Sequence, residues 1–504
     1  MPAIITNKFR IHNSEQFHES FSESSGNTYY LIIGRPQAFA TSTRPDGRTE
    51  NEGTDSVPIL PVDDVTEEFY HFDDAIAAKK ITSSDISFVV PRRNWTTGTV
   101  YDMYRNDYGK RITGTSTAKT STSGASNLYD ATFYVKNSNN HVYKCLDNNS
   151  GGTSTVEPTG TSTAILETAD SYKWKYMYTL TASQGTNFLS TDFMAVTTNS
   201  NAGSGQSSVI SAAVNGALDI VTIKEGGSGY TISGGATSGT ITGVPIRGDG
   251  SSGVASITLT SGAITSVSVT TAGSGYTVAY ITNADIIAGT NAGGTGTGAE
   301  LDVIIPPKGG HGANAVKELG GFYVMLNTNF EGVEAGSGSD VSAENDFRRV
   351  ALIRDPNSGG SSASATTLRG TKAIRFAASP TPGTFTTDEE INQASTGAVG
   401  KVVEWDATNR ILYYIQTRFN DEGADSNGNI TAFSGANVVT GQGSSATGTP
   451  DTGFTNNVNG ASFTSGYSAS ELDADSGDIL YVENRAPILR ATDQTENIKL
   501  IIEF

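Results

Sequence analysis

Five histidines, one cysteine and 52 carboxylates are the groups in this 504-residue chain that could serve as bases, nucleophiles or metal ligands. The histidines are His12, His18, His71, His141 and His311. None lies in a His-Glu-x-x-His pattern, and none pairs with a thiol at zinc-ligand spacing. His311, in Gly309-Gly310-His311-Gly312, is expected in an irregular loop, where a solvated or structural role outweighs that of base or ligand. Cys145 sits inside an apolar strand pattern and reads as a buried, inert thiol. No Gly-x-Ser-x-Gly elbow occupies a strand-turn-helix setting. Carboxylates cluster at Asp63-Asp64, Glu67-Glu68, Asp73-Asp74 and Asp388-Glu389-Glu390. A glycosidase needs two carboxylates placed roughly 5–10 Å apart across a sugar, and a chain this acidic yields neighbouring pairs by chance. Asp425-Ser426-Asn427-Gly428-Asn429 resembles the opening of a calcium loop, but the position due to hold Glu is Ala436, so a turn is expected. Arg92-Arg93-Asn94-Trp95 joins two cations to an aromatic ring; without a wider basic field it reads as a salt-bridged or interface group. No catalytic residue, metal or cofactor is expected.

The elements around these groups read as strands. Tyr29–Ile33, ended by Gly34, is a short continuous apolar run of the kind buried on both faces, and Phe88–Val90, stopped by Pro91, is another. Phe133–Val135 and Val142–Leu146 flank Asn137-Ser138-Asn139-Asn140, a hairpin signal. One helix is marked, from a capping-box-like Asp64 and Glu67, along the stripe Val65, Phe69, Phe72 and Ile76, to Lys79 and Lys80. Residues 201–310 turn to Gly, Ser and Thr with alternating Val and Ile, and contain a repeat. Gly216–Ile223 leads to Gly227-Ser228-Gly229-Tyr230, and Gly262–Val269 leads to Gly273-Ser274-Gly275-Tyr276, 46 residues on. Each unit reads as a strand, a turn and a tyrosine that covers the strand. The turns could cradle an anion, but no helix follows them and no Lys stands in the P-loop position. Further strands are expected at Phe322–Leu326, Val350–Ile353, Val402–Trp405, Ile411–Ile415 and Asp478–Val482, with a long surface loop reaching about residue 470. The last residues alternate, Ile498, Leu500, Ile502 and Phe504 sharing one face; so apolar a final strand calls for a partner, an early strand of the chain being the candidate.

Composition agrees. With 57 Gly, 36% apolar residues and 9% aromatics, the chain suits short strands and tight turns rather than long helices. The net charge of −19 disfavours nucleic acid and anionic membrane surfaces. No apolar run approaches the roughly 20 residues of a membrane span. Met1–Thr6 lacks the pattern of a secretory signal, so folding in a cytoplasm is expected.

Several short stretches, in order, resemble one family. They are Thr6–Arg10, Gly34-Arg35, Pro91-Arg92-Arg93-Asn94-Trp95, Val142–Asp147, Asp170–Tyr176, Tyr481-Val482-Glu483-Asn484-Arg485-Ala486-Pro487-Ile488, and Asp493–Glu496 with the terminal strand. The set resembles the dimeric, layered β-sandwich baseplate wedge subunit of contractile-tailed phages of the T-even type. Ser171, Asn94 and Ala486 depart mildly from the family pattern, and residues 201–475 do not match it. The resemblance implies a non-enzymatic virion protein of the tail baseplate, assembled in the host cytoplasm. It would be a homodimer bound to other wedge proteins, in a baseplate that rearranges on host contact. Arg92, Arg93, Trp95, Glu483, Asn484 and Arg485 are the expected interface or framework residues. The expected fold is mainly β, a layered β-sandwich core built from both chain ends with a few short helices and inserted Gly/Ser/Thr-rich β modules. Its divisions would be 1–200 (core), 201–310 (repeat module), 311–384 (middle segment), 385–475 (second module and loop) and 476–504 (strands returning to the core). A competing reading is a receptor-binding or adhesin-like tail protein that recognises host glycans through the inserted modules; a third is an enzyme acting on host surface polysaccharide.

Overall fold

The computed structural model describes residues 3–23, 26–43, 49–111, 117–333, 341–342, 345–418, 424–425, 427–488 and 495–504. The chain is mainly β, with many antiparallel sheets and a few short helices, as composition requires. It forms two compact units. One holds Met1–Gln16, Ser87–Met325 and Ile501–Phe504; the other holds Phe17–Ile86 and Leu326–Leu500.

In the first unit, four strands run in the order Leu166–Glu167, Lys173–Thr179, His141–Asp147 and Tyr134–Lys136. The Asn137–Asn140 turn closes the last pair: the Asn137 side-chain oxygen accepts from the amides of Asn139 (2.9 Å) and His141 (2.8 Å), and Asn140 takes a left-handed φ of 61°. The sheet is filled by aromatics, with Trp174 stacked on Tyr172 (centroids 5.4 Å apart) and Tyr134, Tyr143 and Tyr178 fully buried. Residues 7–16 lie in a helix, Asn7–Ser20, that is not among the expected elements. Its face is mostly polar and buries only Ile11 and Ser14, so the apolar stripe that announces a helix is missing. Its signal was the cap: Thr6 Oγ1 accepts from the Phe9 amide at 3.3 Å. Arg10 lies 3.8 Å over the Phe322 ring and bonds the Phe504 carbonyl and the Glu503 carboxylate. The terminal strand Thr495–Glu503 pairs with Tyr323–Val333, a mid-chain strand rather than an early one. The chain end meets the N-terminal region through Arg10 instead.

The 46-residue repeat forms its own apolar core around Leu218, Tyr230, Ile241, Ile257, Ile264 and Tyr276. Val221–Ser228 pairs with Thr297–Val303, and Ala263–Thr271 with Val254–Thr260, so each repeat strand meets a partner beginning just after Gly296 or Gly250. These two glycines are themselves 46 residues apart. A Cβ on Gly296 would lie 2.2 Å from the Tyr230 ring, and one on Gly250 would lie 2.4 Å from the Tyr276 ring. Both tyrosines are thus core residues rather than covers. Tyr276 accepts from the Gly253 amide (3.0 Å) and donates to the Ile246 carbonyl (2.9 Å); Tyr230 donates to Asn283 (2.5 Å) and accepts from the Ala299 amide (3.3 Å).

In the second unit, a five-stranded antiparallel sheet runs Thr367–Arg369, Ala75–Ile81, Tyr29–Gly34, Phe347–Arg354, Asp478–Ile488. Tyr29–Gly34 is buried on both faces, as its unbroken apolar run requires. The expected helix to Lys80 is corrected here. It covers Val65–Asp73 only, and Ile76, Lys79 and Lys80 lie on the strand Ala75–Ile81. A fully buried run such as Ala75–Ala78 has no helical or strand period to read, and pairing on both sides decides it. The side chains of Val65 and Glu67, and with them the expected cap, lie outside the described residues. A seven-stranded sheet runs from Thr447–Gly448 through Val439–Gly441, Glu390–Gln393, Ala398–Asp406, Ile411–Ile415 and Lys372–Arg375 to Tyr467–Ser468. The long surface loop expected up to residue 470 is therefore also corrected. It carries short strands, and Val439, Ala446, Ala461 and Phe463 anchor it in the core.

Candidate interface and framework residues

Of the six residues singled out in the sequence, three lie in the first unit, just after the strand Ile86–Pro91. The Arg92 guanidinium donates to the Ser190 carbonyl (2.8 Å) and to Asn94 (3.2 Å). Arg93 donates to the carbonyls of Ala131, Tyr129 (3.3 Å) and Asp130 (3.4 Å), and its guanidinium lies 4.6 Å over Tyr134. Trp95 donates its indole N–H to Ser154 Oγ at 3.1 Å. Arg93 thus ties Tyr134, on the edge strand of the aromatic sheet, to the 129–131 stretch, while Arg92 and Trp95 bond residues in other loops.

The other three lie on the strand Asp478–Ile488 of the second unit. Glu483 accepts from the Tyr481 hydroxyl at 3.2 Å. Asn484 accepts from Arg349 Nε (3.1 Å) and donates to the Ile59 carbonyl (3.1 Å). Arg485 Nε is buried without a hydrogen-bond partner among the described residues. Asp493 and Gln494, part of the same family-like stretch, lie outside the described residues.

Asn484 leads to a buried charge network that sequence reading missed. Arg349 donates to Asp74 Oδ2 at 2.6 Å, with side chains 8% and 5% exposed. Burial raises the Asp74 pKa, against the opposing pull of Arg349. Arg35, at a left-handed φ of 59°, pairs with Glu52 through Nη1 at 2.8 Å. Gly34 permits the turn, because a Cβ there would lie 2.9 Å from the Asp74 carbonyl. Arg348 grips Asp55 with two bonds of 2.9 Å, which hold the Asp55 carboxyl below its ordinary range. These ties, with Asn484, pin the segment that carries Val57, Ile59, Leu60 and Val62. Yet those four side chains are 71%, 41%, 83% and 60% exposed. The available signal was two arginines, Arg348 and Arg349, heading a strand otherwise apolar from Phe347 to Ile353.

The groups weighed for chemistry are structural. Cys145 is buried, and burial drives its thiol pKa well above the ordinary value. His311 is enclosed rather than solvated, edge-on to Tyr104 at 4.9 Å, and burial followed by the Lys144 and Lys175 charges holds its pKa well below 6.5. Beside it, Lys144 pairs with Glu318, whose carboxylate also accepts from the amides of Gly312 (2.9 Å) and Asn314 (3.1 Å). Glu389 is consumed by the amides of Thr386 (2.7 Å), Gly443 (3.0 Å) and Ser444 (2.7 Å). Asp425 accepts from the amides of Asn427 and Asn429, both at 2.9 Å, in the expected turn; Ser426 lies outside the described residues. Among the described residues, no three His, Cys, Asp or Glu side chains converge as a metal site, and no helix is long and apolar enough to cross a membrane.

Compared with known families, the chain matches Phage-Gp8, described as Bacteriophage T4, Gp8, over residues 3–149 and 449–504. The matched parts include all six singled-out residues, Arg35 and Asp74. No curated protein matches the chain.

Proposed function

We propose that this chain, whose two ends match the phage Gp8 family model, is a structural baseplate wedge protein that links neighbouring wedge proteins and moves with them when the baseplate rearranges on host contact. The family match to both ends carries this reading. In the proposed role the chain is a homodimer, assembled in the host cytoplasm before it enters the virion, and catalyses no reaction. Arg92, Arg93, Trp95, Glu483, Asn484 and Arg485 act as framework: the intrachain bonds of the first five support that use over direct partner contact. The partner contact falls instead on exposed apolar side chains. Val57, Ile59, Leu60 and Val62 form one such run, and an anchored apolar run open to water favours burial in an assembly. Stable interfaces bury roughly 1,200–2,000 Å² in total.

The test is the solution mass of the purified chain, alone and mixed with the other tail proteins of the same virus. A dimer that joins a larger defined complex is the expected result. Leu60→Asp should weaken association while leaving the far-ultraviolet circular dichroism unchanged. A stable trimer that ignores the other tail proteins would overturn the wedge role in favour of an adhesin.

A further inference from the structure

The first unit carries an open cleft of about 830 Å³, within the roughly 300–1,000 Å³ of ligand sites. One wall comes from residues 103–111 and 119–122, the other from the repeat module, at Val221–Lys224, Thr265–Val267 and Asp302. A four-membered ion network spans the two walls. Arg105 reaches Asp107 and Asp302, both at 2.9 Å, and Lys119 reaches the same two carboxylates at 2.7 and 2.8 Å. Arg105 also donates to Thr222 Oγ1 at 3.2 Å. These four charges cancel, hold Asp107 down to about 2, and fix the module against the loop.

The remaining charges cancel only in part. Lys224 pairs with Glu300, whereas Lys110, Arg111 and Lys173 line the cleft against Asp147 and Glu167. Lys173 is only loosely paired, 3.6 Å from Asp147, and among the described residues Lys110 and Arg111 make no ion pair. In a chain with a net charge of −19, three cations thus face two carboxylates around this concavity, with Lys110 and Arg111 open to an anion. Such focusing raises the local concentration of anionic ligands. The lining is otherwise rich in hydroxyls, among them Thr120, Thr122, Ser150, Ser171 and Thr265. Thr265–Val267 also belong to Ala263–Thr271, the outer strand of its three-stranded sheet.

We propose that this cleft binds an extended acidic segment of a neighbouring protein. Its carboxylates would meet Lys110, Arg111 and Lys173, and its peptide groups the hydroxyls and the edge of the outer strand. The lining disfavours a glycan. Its one aromatic residue is Tyr108, half-buried with its hydroxyl bonded to the Met103 carbonyl at 2.8 Å, so no open ring face awaits a sugar. Nucleic acid is disfavoured because four of the six cations, Arg105, Lys119, Lys173 and Lys224, are already paired with carboxylates.

The experiment titrates the full chain into a fluorescent octapeptide alternating Glu and Ser, at low and high salt, with a Gln-Ser octapeptide as control. Saturable binding of the acidic peptide alone is expected, weakened about tenfold by Lys110→Glu/Arg111→Glu and by high salt. Lys110→Ala/Arg111→Ala, which adds no new charge, should weaken it about threefold with the melting temperature unchanged. No binding at low salt, affinity unaltered in both double variants, or tighter binding of an anionic polysaccharide would each overturn the proposal. The titration needs no other tail protein, so its failure would leave the wedge role standing.

Discussion

The sheet around Tyr29–Gly34 buries ion pairs, whereas the repeat at residues 216–305 buries tyrosine hydroxyls. In the sheet, Arg349–Asp74 and Arg35–Glu52 are enclosed on both partners. In the repeat, the ion pairs reach solvent: Arg247, opposite Asp285, is 56% exposed, and Lys224–Glu300 is exposed on both sides. Its buried tyrosine hydroxyls are neutral and bonded mainly to backbone, and the one buried carboxylate among these pairs, Asp285, faces an arginine open to water. The difference lies in what each region can lose. A buried ion pair contributes little net stability when intact, but leaves a stranded charge when one partner goes. A buried hydroxyl strands only a dipole. The sheet should therefore be brittle towards single substitutions and pH, and the repeat tolerant of both.

The largest effect should come from Arg349→Met. It leaves the Asp74 carboxylate enclosed, with Oδ1 already lacking a hydrogen-bond partner among the described residues, and frees Asn484. Urea unfolding should show a loss of about 3–5 kcal/mol. Arg349→Met/Asp74→Leu should recover most of it, since a well-packed apolar pair is often neutral. A single-variant loss near zero would break the contrast between the two regions.

Strands whose burial matches their local pattern were readable in the sequence: Tyr29–Gly34, the Asn137–Asn140 hairpin and the repeat strands all follow from apolar runs and turn residues. The ionic network was not, because Asp74 meets Arg349 across 275 residues and only the sheet order brings them together. Gly250 and Gly296 were visible as residues, but their use, clearing space for a ring, depends on a pairing that closes the first repeat strand on the last. The six singled-out residues came from family resemblance, and the bonds of Arg92, Arg93 and Asn484 to distant carbonyls had no local signal. Ala75–Ala78 failed for the converse reason: total burial erases the period that separates helix from strand.

A second test uses pH. Burial, then the Arg349 charge, pushes His71 down from 6.5 to about 3, while burial lifts Asp73 from 3.8 to about 6 despite Arg418. His71 has a depressed folded pKa, so between about 3 and 6.5 the unfolded chain binds more protons and stability rises with pH. Asp73 has a raised folded pKa, so between 3.8 and about 6 the folded chain binds more, and stability falls as pH rises. Over that shared window the two oppose each other. His71→Leu should expose the Asp73 slope, a fall of at most about 1.4 kcal/mol per pH unit. Asp73→Asn should expose the opposite slope. Urea midpoints of both variants measured from pH 4 to 6 check the signs, and parallel profiles would remove the pair from the contrast.

The smallest effect lies within the repeat and asks how alike its halves are. Tyr276 spends its hydroxyl on two backbone groups, the Gly253 amide and the Ile246 carbonyl. Tyr276→Phe strands both in the core and should cost about 1–3 kcal/mol. Tyr230 bonds the side chain of Asn283, which can turn to another partner, and its second contact, from the Ala299 amide, is longer at 3.3 Å. Tyr230→Phe should therefore cost less, about 1 kcal/mol or below. Since both phenylalanines keep the same ring over Gly296 or Gly250, the difference isolates the hydroxyl from the packing. Equal losses would mean that the two hydroxyls contribute alike, whether they bond backbone groups at both ends, as Tyr276 does, or share one bond with a side chain, as Tyr230 does.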